Sequence, residues 1–537
     1  MKIFILQIKR LLGVMIIVGF SGCDDFLEEE NRSNLTDQNG FDNPAVFDEL
    51  VANGYNKLRK AALAFQLDQK GTDIITRGTI IAGTDELNDY VNLSTTNGSV
   101  SAQWENYYNV VTAANLAISR VDEIPGLSDE EISRGLGEAR FLRAFSYFNL
   151  VEHFGDVPLV LDEITSSQTD FSRASESEIY SQIISDLDDA IASVDENPEQ
   201  YGRISKDAAR HLKAKVLLTR AYKSFAGGND FSEAAALAET VISNHPLESS
   251  FAALHDIDNQ RNPEVIFALL FGSDAQMRGE DGNNRHKLFR FPYDLYPGME
   301  RSELFNNGEG SSPTPFFFTL FEDEDEREEA TLRRTLFALL DTDDGTITVG
   351  DTAIFFPEIP WTDQEKAAVN YAVINEGDYY TPNGITSVHY PIFKKFDDPE
   401  AVVTTDFARA GGIRDAIIFR SGETYLIAAE AYLGAGDAAS AADQLNALRA
   451  RAGITSTLLP ADIDIDFILD ESARELAGET SRWMDLKRTG KLIERVLAHN
   501  PHAQLNNAIQ PFHLFRPIPQ SEIDLVTSED FEQNLGY

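Results

Sequence analysis

The sequence predicts a mainly α-helical chain: a tetratricopeptide-like helical-repeat scaffold that carries a loop-rich, partly β insertion on its ligand side. Three observations predict this. Apolar residues recur at helical spacing through much of residues 41–270 and 415–537. Two of those stretches share a plan, in which a helix ending near "AY" meets a Gly-rich turn, an Asp and a second helix containing "AA". Between them, over about residues 271–414, the helical period fades and Gly, Pro and aromatic residues crowd the chain.

The elements follow in order. Lys2, Lys9 and Arg10 precede the apolar run "LLGVMIIVGF", which ends at small residues. This is the layout of a secretory signal, with a core too short to span a bilayer well. Cys23, the single cysteine in 537 residues, follows at once. "FSGC" resembles a lipobox: Ser21 and Gly22 supply the small residues, and Phe20 stands where Leu is more usual. The expectation is a lipoprotein signal over residues 1–22, palmitate-type lipidation at Cys23, an acidic leader over 23–40 and a domain over 41–537. The alternatives are a signal peptide cleaved elsewhere and an uncleaved anchor. An acylated Cys23 leaves no thiol for a disulfide, a zinc site or a nucleophile. Beyond the signal no apolar run is long enough to cross a membrane, so attachment is expected through the lipid alone.

The formal net charge is −43. Such a surface repels phosphate backbones, which argues against nucleic acid as a partner. In "LGEARFLRAFSYFNLVEHFGD" one stripe runs through Phe141, Ala144, Phe145, Phe148 and Val151, and a second through Tyr147, Leu150 and Phe154. Two stripes on one helix imply packing on two sides, and Gly155 with Pro158 marks the stop. Ser205 is an N-cap for a helix with apolar positions from Ala214 to Phe225, ended by Gly227-Gly228, and Asp230 is placed to cap the next. The second hairpin has Tyr425, Ala428, Ala429 and Tyr432 on one face, breaks at Gly434–Gly436, recaps at Asp437 and runs to Gly453. The stretch between the hairpins includes "SSPTPFFFTLF" and "NEGDYYTPNGITSVHYPIF", and "GTITVGDTAIFF" alternates as short strands do.

Several stretches converge on one family. "GEARFLRAFSYFNLVEHFGDVPLV", "ISKDAARHLKAKVLLTRAY", "RSGETYLIAAEAYLGAGD", "ILDESARELAGETSRWMDLKRTG" and the ending "LFRPIPQSEIDL" to "FEQNLGY" resemble SusD/RagB-type nutrient-uptake lipoproteins of the Gram-negative outer membrane. The resemblance covers the whole mature chain, although the middle insertion matches no motif. It implies a SusD-like fold and a non-catalytic protein, lipid-anchored in the outer membrane and facing the exterior. Such a protein binds a glycan or other nutrient and closes as a lid over a SusC-like TonB-dependent transporter. No cofactor is implied.

Within "ESARELAGETSRWMDLKR" the pairs Glu471–Arg474, Glu479–Arg482 and Arg482–Asp485 stand at i,i+3, the spacing of helix ion pairs. A carboxylate paired with Arg makes a poor general acid, so a structural charge network is expected, with Trp483 as a core plug. "DTDDGTITVGD" places Gly345 one position early for a calcium loop and reads as a polar turn. The nine His show no metal-ligand spacing, so neither a metal nor a catalytic residue is assigned. Sugar rings stack their C–H faces on aromatic side chains. Tyr90, Tyr293, Tyr296 and Trp361, in Pro-bounded or polar loops, are the candidate ligand contacts, with core packing the alternative for each. Two other functions stay open at this point: a surface glycoside hydrolase, needing two opposed carboxylates, and an assembly scaffold without a small ligand.

Overall fold

The computed structural model describes residues 41, 43–63, 65–78, 84–279, 282–301, 310–380, 389–402 and 411–537. The signal, Cys23 and the leader lie outside the described residues. Six helices follow one another: α1 Ala45–Ala61, α2 Gly98–Arg120, α3 Asp129–Phe154, α4 Glu176–Ser193, α5 Lys206–Arg220 and α6 Asp230–Asn244. Each packs on the next, as the apolar stripes require. Their ends are chemically set. Ser128 and Ser175 form reciprocal capping boxes with Glu131 and Glu178, and Ser205 accepts the Ala208 N–H. Gly155 ends α3 at φ 73°, a conformation that disfavours any residue with a Cβ.

Two details differ from the sequence reading. Helix α5 stops at Arg220, ahead of Gly227-Gly228, and the chain turns early. Lys223 in that turn is held by Glu152 and Glu176, both at 2.8 Å. Asp230 does not cap α6. Its carboxylate takes the Arg220 guanidinium at 2.5 Å and the Gly227 N–H at 2.7 Å, which locks the hairpin turn instead.

The array then continues across the insertion. Helix α7, Ser421–Gly434, packs directly on α6, and α8, Ala438–Arg451, and α9, Ile465–Leu476, both pack on α7. A Cβ on Gly434 would lie 2.4 Å from the Phe231 ring, so the crossing of α6 and α7 needs glycine there. The chain leaves and re-enters the scaffold through a two-stranded antiparallel ribbon of β1, Val265–Leu269, and β5, Ala416–Arg420. An excursion that starts and ends in one ribbon leaves the stacking of α6 on α7 intact.

The insertion has its own core of Phe291, Tyr293, Leu336, Ile354, Phe356 and Ile392. A small sheet of β2, Thr335–Phe337, β3, Thr352–Phe355, and β4, Ala372–Val373, lies over it. The "DTDDGTITVGD" segment is the polar turn between β2 and β3, and strand character begins only at Thr352. Asp344 accepts from Thr346 and Thr342 there, which lowers its carboxyl to about 2.

Candidate functional site

The four aromatic candidates do not share one site. Tyr90 is 1% exposed, which corrects the reading of an open loop. Asp85 caps a short helix, Glu86–Asp89, and Tyr90 ends it at φ 56° with its hydroxyl donating to the Gly71 carbonyl at 2.7 Å. The ring packs edge-on to His513, among core residues of the C-terminal segment. Tyr293 is likewise buried, in the insertion's own core beside Phe291. Neither ring offers a face to a ligand. Tyr296 is half-buried, and its hydroxyl is hydrogen-bonded to His389 Nδ1 at 2.7 Å.

Trp361 is different. It stands half-buried beside an open hollow of about 360 Å³ that follows the end of β3. Its indole meets the Phe355 ring at 5.6 Å and 60°. The walls add Arg334, Pro357 and the exposed pair Glu358 and Ile359, the latter 81% exposed. The backbone that carries the indole is held at both polar groups. Trp361 N–H donates to Asn375 Oδ1, and Asn375 Nδ2 donates to the Trp361 carbonyl, each at 2.9 Å. A capping box of Thr362 with Glu365 then starts a helical turn immediately after it. The result is a preorganised aromatic surface with a guanidinium and a carboxylate beside it. Stacking on an apolar ring face plus hydrogen bonding to hydroxyls is the chemistry this set can perform. The sequence singles out Trp361 as a candidate but not the Arg334, Glu358 and Asn375 that surround it, because nothing local links an Asn fourteen positions along the chain to that backbone.

The acidic segment at Glu471 is structural. Arg327 donates to Glu471 at 2.6 Å and to Glu475 at 3.0 Å, Arg474 pairs with Glu471 at 2.6 Å, and Arg420 pairs with Glu475 at 2.7 Å and Glu479 at 2.6 Å. Burial by itself would raise the Glu475 carboxyl, but Arg451, Arg420 and Arg327 outweigh it and hold it well below the carboxylate range. The same balance lowers Glu471 and Glu479, so none of the three has a proton to give at neutral pH. Two of the expected i,i+3 pairs are replaced. Arg482 binds Asp73 at 2.7 Å, while Asp485 pairs with Arg488 at 2.8 Å. Trp483 is fully buried and stacks on His153 at 5.4 Å. Among the described residues no cluster of three or more His, Cys, Asp or Glu is arranged to hold a metal ion.

Two family patterns cover most of the chain. One, described as the SusD family, matches residues 263–537, about half of it. The chain belongs to the SusD/RagB family. The other, described as starch-binding and associating with the outer membrane, matches residues 25–218. SusD-like protein P25 of Formosa agariphila is 28% identical, with 98% of this chain and 99% of that protein aligned. Starch-binding protein SusD of Bacteroides thetaiotaomicron is 26% identical over 78% of this chain and 75% of its own. Among solved structures, a laminarin-binding SusD-like protein superposes with a TM-score of 0.70 at 23% identity, covering 93% of this chain and 100% of that one. A SusD homologue from Bacteroides thetaiotaomicron reaches 0.73 at 20% identity, covering 95% and 100%. The helical-repeat architecture of this SusD/RagB chain is therefore the family's fold.

Proposed function

We propose that this SusD/RagB protein binds a saccharide on the Trp361 face, leaves it chemically unchanged and delivers it as a lid to a SusC-like TonB-dependent transporter, while held on the outer membrane by lipid on Cys23. The observation that carries the reading is the half-buried indole, clamped through Asn375 and flanked by Phe355, Arg334 and Glu358. A rigid ring costs little entropy to immobilise, which suits a site that must stay open until a ligand arrives. Family membership supports saccharide binding, since relatives are named for starch and laminarin. The carboxylates of Glu471, Glu475 and Glu479, ionised and paired with guanidiniums, supply no general acid for hydrolysis, which supports the binding reading.

A glycan array probed with the purified chain from residue 24 onward tests this. Retention of at least one saccharide class is expected, with mass spectrometry recovering it intact. Release of shorter oligosaccharides, or retention of none, would overturn the reading.

A further inference from the structure

The larger concavity is a cleft of about 440 Å³ between α1, α2 and the segment that follows β1. Its volume lies within the range of small-ligand sites. In a chain of net charge −43 its lining is unexpectedly cationic: Lys57, Arg59 and Lys60 from α1, with Arg278 and Arg285 opposite. Among the described residues none of the five forms an ion pair with a carboxylate, although guanidinium–carboxylate pairs abound elsewhere in the molecule.

The arginines are held by carbonyl groups, which position a guanidinium without cancelling its charge. Arg59 donates to the Met277 and Arg278 carbonyls, and its guanidinium lies 4.2 Å from the Phe271 ring centroid. Arg285 donates to the Ile417 carbonyl at 3.1 Å and the Glu479 carbonyl at 3.3 Å. Lys57 and Lys60 are exposed. Two buried atoms in the lining have no hydrogen-bond partner among the described residues, Arg59 Nε and Asn284 Oδ1. Buried polar atoms are rarely left so, and here a donor and an acceptor both stand unused.

Among the described residues the acidic groups near these cations are Glu105, exposed on the rim, Asp415, which acts on Arg59 and accepts the Phe271 N–H at 2.8 Å, and Glu479 and Asp68, which act on Arg285. Glu280 and Asp281, next along the chain, lie outside the described residues. Asn56, Asn106 and Asn109 complete the wall with amides, the side chains that pair with hydroxyl groups. Cations that no carboxylate touches at ion-pair distance among the described residues, beside a row of amides, match a ligand that carries both oxyanions and hydroxyls.

We infer that this cleft binds the anionic substituents, carboxylate or sulfate, of a saccharide, so that the ligand class is an acidic glycan. The inference rests on the saccharide-binding reading above and adds to it a second contact surface, which shares no lining residue with the Trp361 hollow and specifies the ligand class. The negative surface of the chain would disfavour a polyanion elsewhere, so capture depends on this local reversal of sign. Guanidinium and ammonium groups bind such oxyanions through charge-assisted hydrogen bonds.

Calorimetry on the chain from residue 24 onward tests it with three probes: a galacturonate oligosaccharide, a sulfated galactan oligosaccharide and the same galactan without sulfate. At least one charged probe is expected to bind about tenfold or more tighter than the uncharged one, with an advantage that shrinks as salt is added. The two charged arms distinguish carboxylate from sulfate recognition. The double substitution Lys57→Gln with Lys60→Gln, both at exposed positions, should remove most of that advantage, so that charged and uncharged probes bind the variant nearly alike. Equal binding of charged and uncharged probes, absence of binding by either charged probe, or wild-type affinity in the double variant would overturn the cleft assignment. Such a failure leaves the saccharide-binding reading standing as long as the array retains any glycan, and retention of none defeats that reading separately.

Discussion

Trp361 and Trp483 are the same side chain in opposite circumstances. One is half-buried over Phe355 at the edge of a hollow, and the other is wholly enclosed between His153 and Arg516. Their truncations should therefore separate binding from stability. Trp361→Ala removes a stacking surface and is expected to weaken saccharide binding about tenfold, the equivalent of about 1.4 kcal/mol, with little change in melting temperature. Trp483→Ala leaves a large cavity and is expected to cost about 3–5 kcal/mol. Thermal melts and calorimetry on both variants check the pair of outcomes. A Trp361→Ala protein that unfolds while Trp483→Ala merely loses ligand would reverse the assignment.

At the scale of elements, the insertion is fastened to the repeats by buried charge. Arg327 from the insertion reaches Glu471 and Glu475 on α9, and Arg420 at the end of β5 joins Glu264, Glu475 and Glu479. Removing one carboxylate strands several guanidiniums away from water, so Glu475→Gln is expected to destabilise the fold by about 3 kcal/mol or more. The wider set of buried carboxylates makes the fold acid-labile. Burial alone would raise Asp73, Glu152 and Glu423, yet Arg482 at Asp73, Lys487 at Glu152 and Lys215 at Glu423 outweigh it and hold all three at about 2. A carboxyl depressed in the folded state stabilises it above the unfolded pKa and loses that contribution as pH falls through the folded value. The melting temperature should accordingly decline from about pH 4.5 towards pH 2, by less in Glu475→Gln, which has one such group fewer. Glu138, raised by burial, works in the opposite direction. A flat melting profile across that window would refute this account.

Across the whole molecule, the repeat array and the C-terminal segment close on each other. Arg482 and Arg495 both hold Asp73, and Asn500 donates to the Thr72 and Ile75 carbonyls, which joins the end of the chain to the stretch after α1. The proposed tether lies at the other end. Cys23→Ser is expected to leave the protein without acyl label and free of the membrane fraction, since each buried methylene of a lipid chain contributes about 0.8 kcal/mol to retention. Labelling with a palmitate analogue followed by fractionation checks this, and a Cys23→Ser protein that stays labelled and membrane-bound would rule out the anchor.

The helices, several of their caps and the Gly155 stop were legible in the sequence by itself. They rest on interactions between residues three or four apart, and a linear pattern displays those directly. The family's quoted motifs lie largely on these same elements, which is why membership was legible too. Partnerships across the chain were not. Arg482 had Glu479 and Asp485 at helix spacing, yet it binds Asp73, 409 positions away. Tyr90 and Trp361 both stood in polar or Pro-bounded surroundings, but one loop folds beneath the C-terminal segment and the other ends at an open hollow. The cationic cleft joins residues from α1, α2 and the start of the insertion, each unremarked in its own stretch. Local spacing sets backbone conformation; exposure and charge pairing depend on what the rest of the chain brings alongside, and only the tertiary structure decides that.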